Sequence, residues 1–277
     1  MMQLIADSTC NLSPDQIQKH NIRIAPISIQ FGNETYEEDI DIDRNTFYQK
    51  IDEMGIIPTT AQPSPAWFSK FYEEIDREDE ILVIAITEKH SGTYDSAILA
   101  KSMVPDAKVT VFDSATISMG TGWMVLEAAR MRDQGKDLGS IIARLEHIRS
   151  TSTLYLTPET LKYLQMSGRV GALQSALGSL LSLKPIISVD DGLLEAKENV
   201  RTRGKAIEQL LTFTKEAMGD QPVNAAVIHA HCPEEGEQVL AMTKERLNCQ
   251  EVQFCDLVAS LAVHGGPGIL GVFAYPV

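Results

Sequence analysis

The sequence lacks a phosphate-binding loop. Neither G-x-x-x-x-G-K-[ST] nor G-x-G-x-x-G after the first apolar run occurs in its 277 residues, so nucleotide chemistry has no recognisable cradle. It also lacks the G-x-S-x-G elbow of an α/β-hydrolase. Cysteine is scarce: Cys10, Cys232, Cys249 and Cys255 form no CxxC pair, and no His/Cys cluster has zinc spacing. No metal site is expected, and four separate thiols fit a reducing compartment. Positive charge is short as well, with 24 Lys and Arg against 38 Asp and Glu and a net charge of −14. Such a chain repels nucleic acid phosphates and anionic membranes. Nucleic acid is excluded as a partner, and membrane contact is at most transient. An anionic ligand would need a local, well-defined site. No apolar run approaches the length that crosses a bilayer. The first ten residues reach Asp7 without a basic segment or a long apolar run, which predicts no secretory signal and a cytoplasmic location.

What is present is apolar material, 44% of the residues, in a chain long enough for two domains. Gln3 to Ala6, Ile81 to Ile86 and Val109 to Phe112 read as strands, the second buried on both faces. Helical patterns follow at Tyr94 to Met103 and Ile117 to Gln134. Strands alternating with helices predict βαβ units and a mainly parallel sheet over residues 1–150. The pattern then changes. Leu154 to Leu156 reads as a strand, and Thr157-Pro158-Glu159-Thr160 as a helix start with Thr157 as N-cap. Pro185 to Val189 and Leu193 to Ala196 flank Asp190-Asp191-Gly192 as a hairpin. Helices at Gly204 to Met218 and Pro233 to Arg246 alternate with strands at Ala225 to Ala230 and Val252 to Leu257, and Ile269 to Tyr275 closes the chain. The expected class is α/β with two α/β domains: a parallel-sheet domain at 1–150, and a mixed α/β sandwich at 151–277.

Ligands of open parallel sheets sit beyond the carboxyl ends of the strands. Asp7-Ser8-Thr9, the loop after Ile86 and Asp113-Ser114 should meet there. Within that loop, Ser91-Gly92-Thr93 precedes a helix whose first amides and dipole favour a carboxylate or phosphate. The plainer reading of the same residues is an N-cap. Thr59 to Pro65 reads as a proline-braced loop offering a second hydroxyl, or as a connector with Ser64 capping the helix from Pro65. In Ser167-Gly168-Arg169-Val170-Gly171, Gly168 suits a helix stop. Arg169 is either a fork for an anion or a solvated side chain. Three glycines and a proline in His264-Gly265-Gly266-Pro267-Gly268 demand a tight turn and permit close approach of a ligand or another segment. His264, at its edge, can donate to an anion or serve structure alone. Met119-Gly120-Thr121-Gly122 lies in a helical pattern, where its glycines suit close packing.

Together and in order, these segments resemble the DegV family over essentially the whole chain. The markers are Ala6 to Thr9, Thr60-Ala61-Gln62-Pro63, His90 to Tyr94, Asp113-Ser114 with Ser118-Met119-Gly120, Ser167-Gly168-Arg169, Lys184-Pro185-Ile186 with Asp191-Gly192, Arg201, and His264 to Gly268. The resemblance implies two α/β domains with a long-chain fatty acid between them and no catalysis by the chain alone. It implies a partner, an ATP-dependent fatty acid kinase subunit that phosphorylates the bound acid to an acyl phosphate for phospholipid synthesis. It implies no cofactor. It assigns the carboxylate to Thr60, Ser91, Arg169 and His264, with Gly92, Thr93, Gly265 and Gly266 as the supporting loops. The chain departs from the family at Ala61, where a serine is usual, and at Glu88-Lys89-His90, where serines are common; the second change bears on kinase docking. The run Ala172 to Leu183 suits an acyl tunnel or an ordinary helix core. Two rivals remain. His-Gly-Gly-Pro-Gly is similar to an oxyanion loop, but only nine residues follow Gly268 and none is Ser, Asp or His. A small-molecule or nucleotide-binding α/β enzyme is the other, without a phosphate loop to support it.

Overall fold

Four parallel strands organise the first half of the chain in the order β2-β1-β6-β7. They are β1 (Met2–Asp7), β2 (Ile22–Ala25), β6 (Glu80–Ala85) and β7 (Lys108–Asp113). The computed structural model describes residues 2–170, 173 and 183–277. Contacts divide the chain into two compact units, Met1–Arg149 and Ser150–Val277.

In the first unit the apolar run of β6 is buried from Ile81 to Ile86, as a strand covered on both faces requires. Alternation sorts its residues. Ile5, Ile81 and Val83 pack with Phe68 and Tyr72 of α3 (Pro65–Glu74) and with Ala97 and Ala100 of α4 (Thr93–Met103). The alternate residues turn to the opposite face, where α5 (Met119–Asp133) packs on β1 and β6. Gly122 allows that approach: a Cβ there would stand 2.3 Å from the Cys10 carbonyl oxygen. Cys10 ends a short 3-10 turn, Ser8–Cys10, and is itself buried. A second sheet, ordered β4-β3-β5, is antiparallel: β3 (Ser28–Phe31), β4 (Glu34–Glu37) and β5 (Thr59–Ala61). The proline-braced loop is therefore partly a strand, because Thr60 pairs with the buried Ile29. The unit is completed by α1 (Pro14–Lys19), α2 (Arg44–Met54) and α6 (Leu138–Thr151), whose last turn holds the boundary.

The second unit carries a six-stranded mixed sheet, β10-β9-β8-β13-β11-β12. Its strands are β8 (Thr153–Thr157), β9 (Lys184–Asp190), β10 (Leu193–Val200), β11 (Val223–His229), β12 (Cys249–Asp256) and β13 (Leu270–Pro276). The expected hairpin joins β9 to β10, with positive φ at both Asp191 (44°) and Gly192 (78°), the signature of a type I′ turn. Helices α8 (Arg203–Met218) and α9 (Pro233–Arg246) bury Ile207, Leu210, Leu211 and Val239 against Val227, Leu270 and Val272. The expected helix start at Thr157 is not there. Thr157 closes β8, opposite Leu270, and α7 begins only at Lys162 (Lys162–Met166). The last helix, α10, spans Ala259–Gly265. Among the described residues, no helix is long and apolar enough to cross a membrane.

Burial pushes the Cys10 thiol well above its ordinary range, whereas Cys255 is only half-buried. Alkylation of the native protein at mildly alkaline pH, followed by peptide mapping, is expected to modify Cys10 last. Early modification of Cys10 would show that the 3-10 turn opens readily.

Candidate ligand-binding site

In the first unit the carboxyl ends of β1, β6 and β7 are tied by their own polar side chains. Asp7 is fully buried. Its Oδ1 accepts from the Thr9 amide at 3.0 Å and from the Thr9 hydroxyl, and its Oδ2 accepts from the Ile86 amide at 2.9 Å. Burial pushes the Asp7 carboxyl upward, and the donors from Thr9 and Ile86 oppose it. Ser8 Oγ donates to Glu38 Oε2 at 2.5 Å and accepts from the Ile27 amide at 3.0 Å. Ser114 is buried, with its Oγ 2.9 Å from Thr121 Oγ1. Ser8 and Ser114, expected at the site on position alone, thus serve to lock these loops. Asp113 Oδ1 accepts from the Ala115 amide at 2.9 Å, and burial raises its carboxyl too.

The Ser91-Gly92-Thr93 segment differs from a simple cap. Gly92 occupies the N-cap position of α4, without a side-chain cap bond. Ser91 precedes it, half-buried, and its Oγ lies 2.8 Å from Thr93 Oγ1 while accepting from the Thr93 amide at 3.3 Å. A hydroxyl pair therefore stands at the positive end of an eleven-residue helix. Gly92 also has a packing reason. A Cβ on it would approach Gln62 Nε2 to 2.7 Å, so the Gln62 side chain crosses directly over the glycine. That contact sets Thr60-Ala61-Gln62 beside Ser91-Gly92-Thr93. In the sequence Gln62 is only one letter of a motif; its role depends on a contact across thirty residues of chain. Ser64 holds the N-cap position of α3 but makes no capping bond through its side chain. Glu88 and Lys89 are exposed and pair at 3.4 Å, a surface contact.

The second unit carries the other two candidates, Arg169 and His264. Helix α7 ends as expected, with Gly168 at φ 72° and the Arg169 amide donating to the Leu164 carbonyl at 3.1 Å. Arg169 Nη1 donates to the Ser167 carbonyl at 2.7 Å, so part of the guanidinium caps its own helix. His264 does not open the glycine turn. It is half-buried in the last turn of α10, and the turn starts at Gly266, φ 77°. Helices α7 and α10 pack together. At their contact a Cβ on Gly266 would stand 2.3 Å from the Tyr163 ring, and one on Gly268 2.9 Å from Glu159 Cβ. The close approach permitted by the glycines is thus made by α7 and the segment before it. Gly265 is buried against Ile269. The run Ala172 to Leu183 lies outside the described residues except for Leu173 and Leu183. Among the described residues no cluster of His, Cys, Asp and Glu could hold a metal ion.

The model of the DegV family matches residues 1–277. The chain belongs to the DegV family. Among curated DegV proteins, that of Bacillus subtilis is 32% identical over 272 residues, covering 97% of each chain. A DegV family protein from Thermus thermophilus, solved with its fatty acid binding described, superposes with a TM-score of 0.92 at 32% identity, over 100% of this chain and 99% of that one. The Bacillus subtilis DegV structure, described as a fatty acid binding protein, gives 0.91 at 31% identity over 100% and 99%. A stearic acid-binding protein from Eubacterium ventriosum gives 0.93 at 26% identity over 100% and 98%. The two α/β units with their parallel and mixed sheets are the DegV fold.

Proposed function

We propose that this DegV protein binds a long-chain fatty acid and presents its carboxylate to a separate ATP-dependent kinase subunit, which forms the acyl phosphate used in phospholipid synthesis. The observation that carries this reading is the whole-chain likeness, at 32% identity, to a Thermus thermophilus DegV protein described as binding fatty acid. The local chemistry supports it. The Ser91–Thr93 hydroxyl pair stands at the positive end of α4, where Gln62, two residues after Thr60, lies over Gly92; Arg169 follows α7 and His264 lies in α10, two helices in contact. In this reading the four side chains hold one carboxylate. A chain of net charge −14 repels a free anion at long range, so hydroxyls, oriented amides and one guanidinium must supply the attraction at contact. The acyl tail adds about 0.8 kcal/mol for each buried methylene, so it supplies much of the affinity. The chain would work in the cytoplasm and take no cofactor beyond the bound acid.

Organic extraction of protein purified from bacteria, followed by mass spectrometry, is expected to release a long-chain fatty acid and no nucleotide. With a kinase subunit, ATP and magnesium, acyl phosphate should accumulate, and the chain alone should make none. Failure of the emptied protein to take up palmitate or oleate would sink the lipid reading. Acyl phosphate from the chain and ATP alone would make it an enzyme in its own right.

A further inference from the structure

We propose that Arg203 is a positioning residue that fixes the glycine turn after His264, and through it the histidine, without touching the ligand. The inference rests on the carboxylate-binding reading of His264. Arg203 is the first residue of α8, a place where the helix dipole disfavours a cation, and the first turn of that helix contains no acidic residue. Yet its side chain is only 16% exposed. Something outside α8 must therefore hold the charge there.

Three separate segments do so. Arg203 Nη1 donates to the Thr157 carbonyl at the end of β8, at 3.1 Å. Nη2 donates to the Gly268 carbonyl at 2.5 Å. Nε and Nη2 grip the two Glu235 oxygens in the first turn of α9 at 3.2 and 3.1 Å. Glu159 Oε2 lies beyond, at 3.9 Å, and Glu159 also pairs with Lys184. The planar fork matches this two-sided demand, carbonyls on one side and a bidentate carboxylate on the other, as an ammonium cannot.

The Gly268 contact links Arg203 to the histidine. The turn is held at its start by the Gly266 amide, which donates to Ala262 at 2.8 Å, and by the Tyr163 ring against Gly266. At its end, the Gly268 amide donates to Ala230 at 2.7 Å and the Gly268 carbonyl accepts from Arg203. Positive φ at both Gly266 (77°) and Gly268 (80°) is a conformation glycine adopts without strain, so the contacts at each end set where the turn lies. Removing Arg203 takes the donor from the Gly268 and Thr157 carbonyls and the bidentate cation from Glu235. His264 sits only four residues before Gly268, in the last turn of α10.

The test is a pair of double-mutant cycles on the full chain, read as palmitate affinity. Arg203→Ala should weaken binding about fivefold, an effect inside the range seen for coupled neighbours. It should add nothing further in a His264→Ala background and should add fully in a Ser91→Ala background. Arg203→Lys, which keeps the charge and folding but not the fork, should lie between wild type and Arg203→Ala. Additivity with His264→Ala, or no effect of Arg203→Lys in a folded protein, would overturn the assignment. The His264 ring resonances in the ligand-free protein give a second readout. They should move and broaden in Arg203→Lys, and unmoved resonances would refute the positioning role even if the chain bound no fatty acid at all.

Discussion

Gly122→Ala is expected to unfold at a clearly lower urea concentration than the wild type, although alanine is the better helix former. The glycine lies inside α5, where the exchange would normally stabilise the helix by about 1 kcal/mol. Here the added Cβ meets the Cys10 carbonyl oxygen at 2.3 Å, Met119 Sδ at 3.0 Å and Leu12 Cδ2 at 3.3 Å. The first of these is backbone, which cannot rotate away. Either α5 lifts from β1, or the Ser8–Cys10 turn shifts and disturbs the Ser8–Glu38 and Ser8–Ile27 bonds. Overpacking of this kind costs roughly 1–3 kcal/mol, and a rigid backbone neighbour places it near the upper end. A net loss of about 2 kcal/mol is expected after the gain in propensity. Gly204→Ala supplies the control. It sits in the first turn of α8, and a Cβ there would meet nothing within 4 Å, so the exchange should hold or raise stability. A Gly122→Ala protein as stable as Gly204→Ala would show that α5 and the 3-10 turn are loosely packed.

The second large effect concerns ligand affinity. Ser91→Ala and His264→Ala should each weaken binding of palmitate by roughly tenfold or more, since a hydrogen bond to a charged group contributes about 1.5–3 kcal/mol. Ser91 acts at the end of α4 and its hydroxyl is paired with that of Thr93, so its loss removes one donor and loosens another. Ser114→Ala distinguishes affinity from architecture. That hydroxyl is buried against Thr121 Oγ1 at 2.9 Å, so its loss should lower the melting temperature and leave affinity nearly unchanged. Titration of delipidated variants with palmitate measures all three. Unchanged affinity and unchanged phosphorylation in both Ser91→Ala and His264→Ala would place the carboxylate elsewhere.

Much of this architecture is legible in the sequence. Long apolar runs such as Ile81 to Ile86, an Asp-Gly turn between alternating strands, and the Pro233 to Arg246 helix depend on local periodicity and turn chemistry, which act over a few residues. Residues 22–37 are less readable. Their three strands are only four residues each, and Glu34–Glu37 is largely polar, so their pairing rather than their composition makes them strands. Thr157 shows the same limit in reverse: a good capping residue with a proline after it, held in a strand because Leu270 pairs with it.

The sequence alone determined the α/β class and the change of pattern near residue 150, because periodicity and turn chemistry are properties of the chain itself; Thr60, Ser91, Arg169 and His264 came from the resemblance of ordered motifs to the DegV family. Tertiary structure alone decided what each candidate touches. Gln62 lies over Gly92, Tyr163 over Gly266, and Arg203 on Gly268, each through contacts between residues distant in the chain. It also gave Ser8 and Ser114 their internal partners, since a hydroxyl's partner depends on which loop folds against it. No local pattern encodes that choice, because the partner's distance along the chain is set by how the sheets stack and not by the residues beside the hydroxyl.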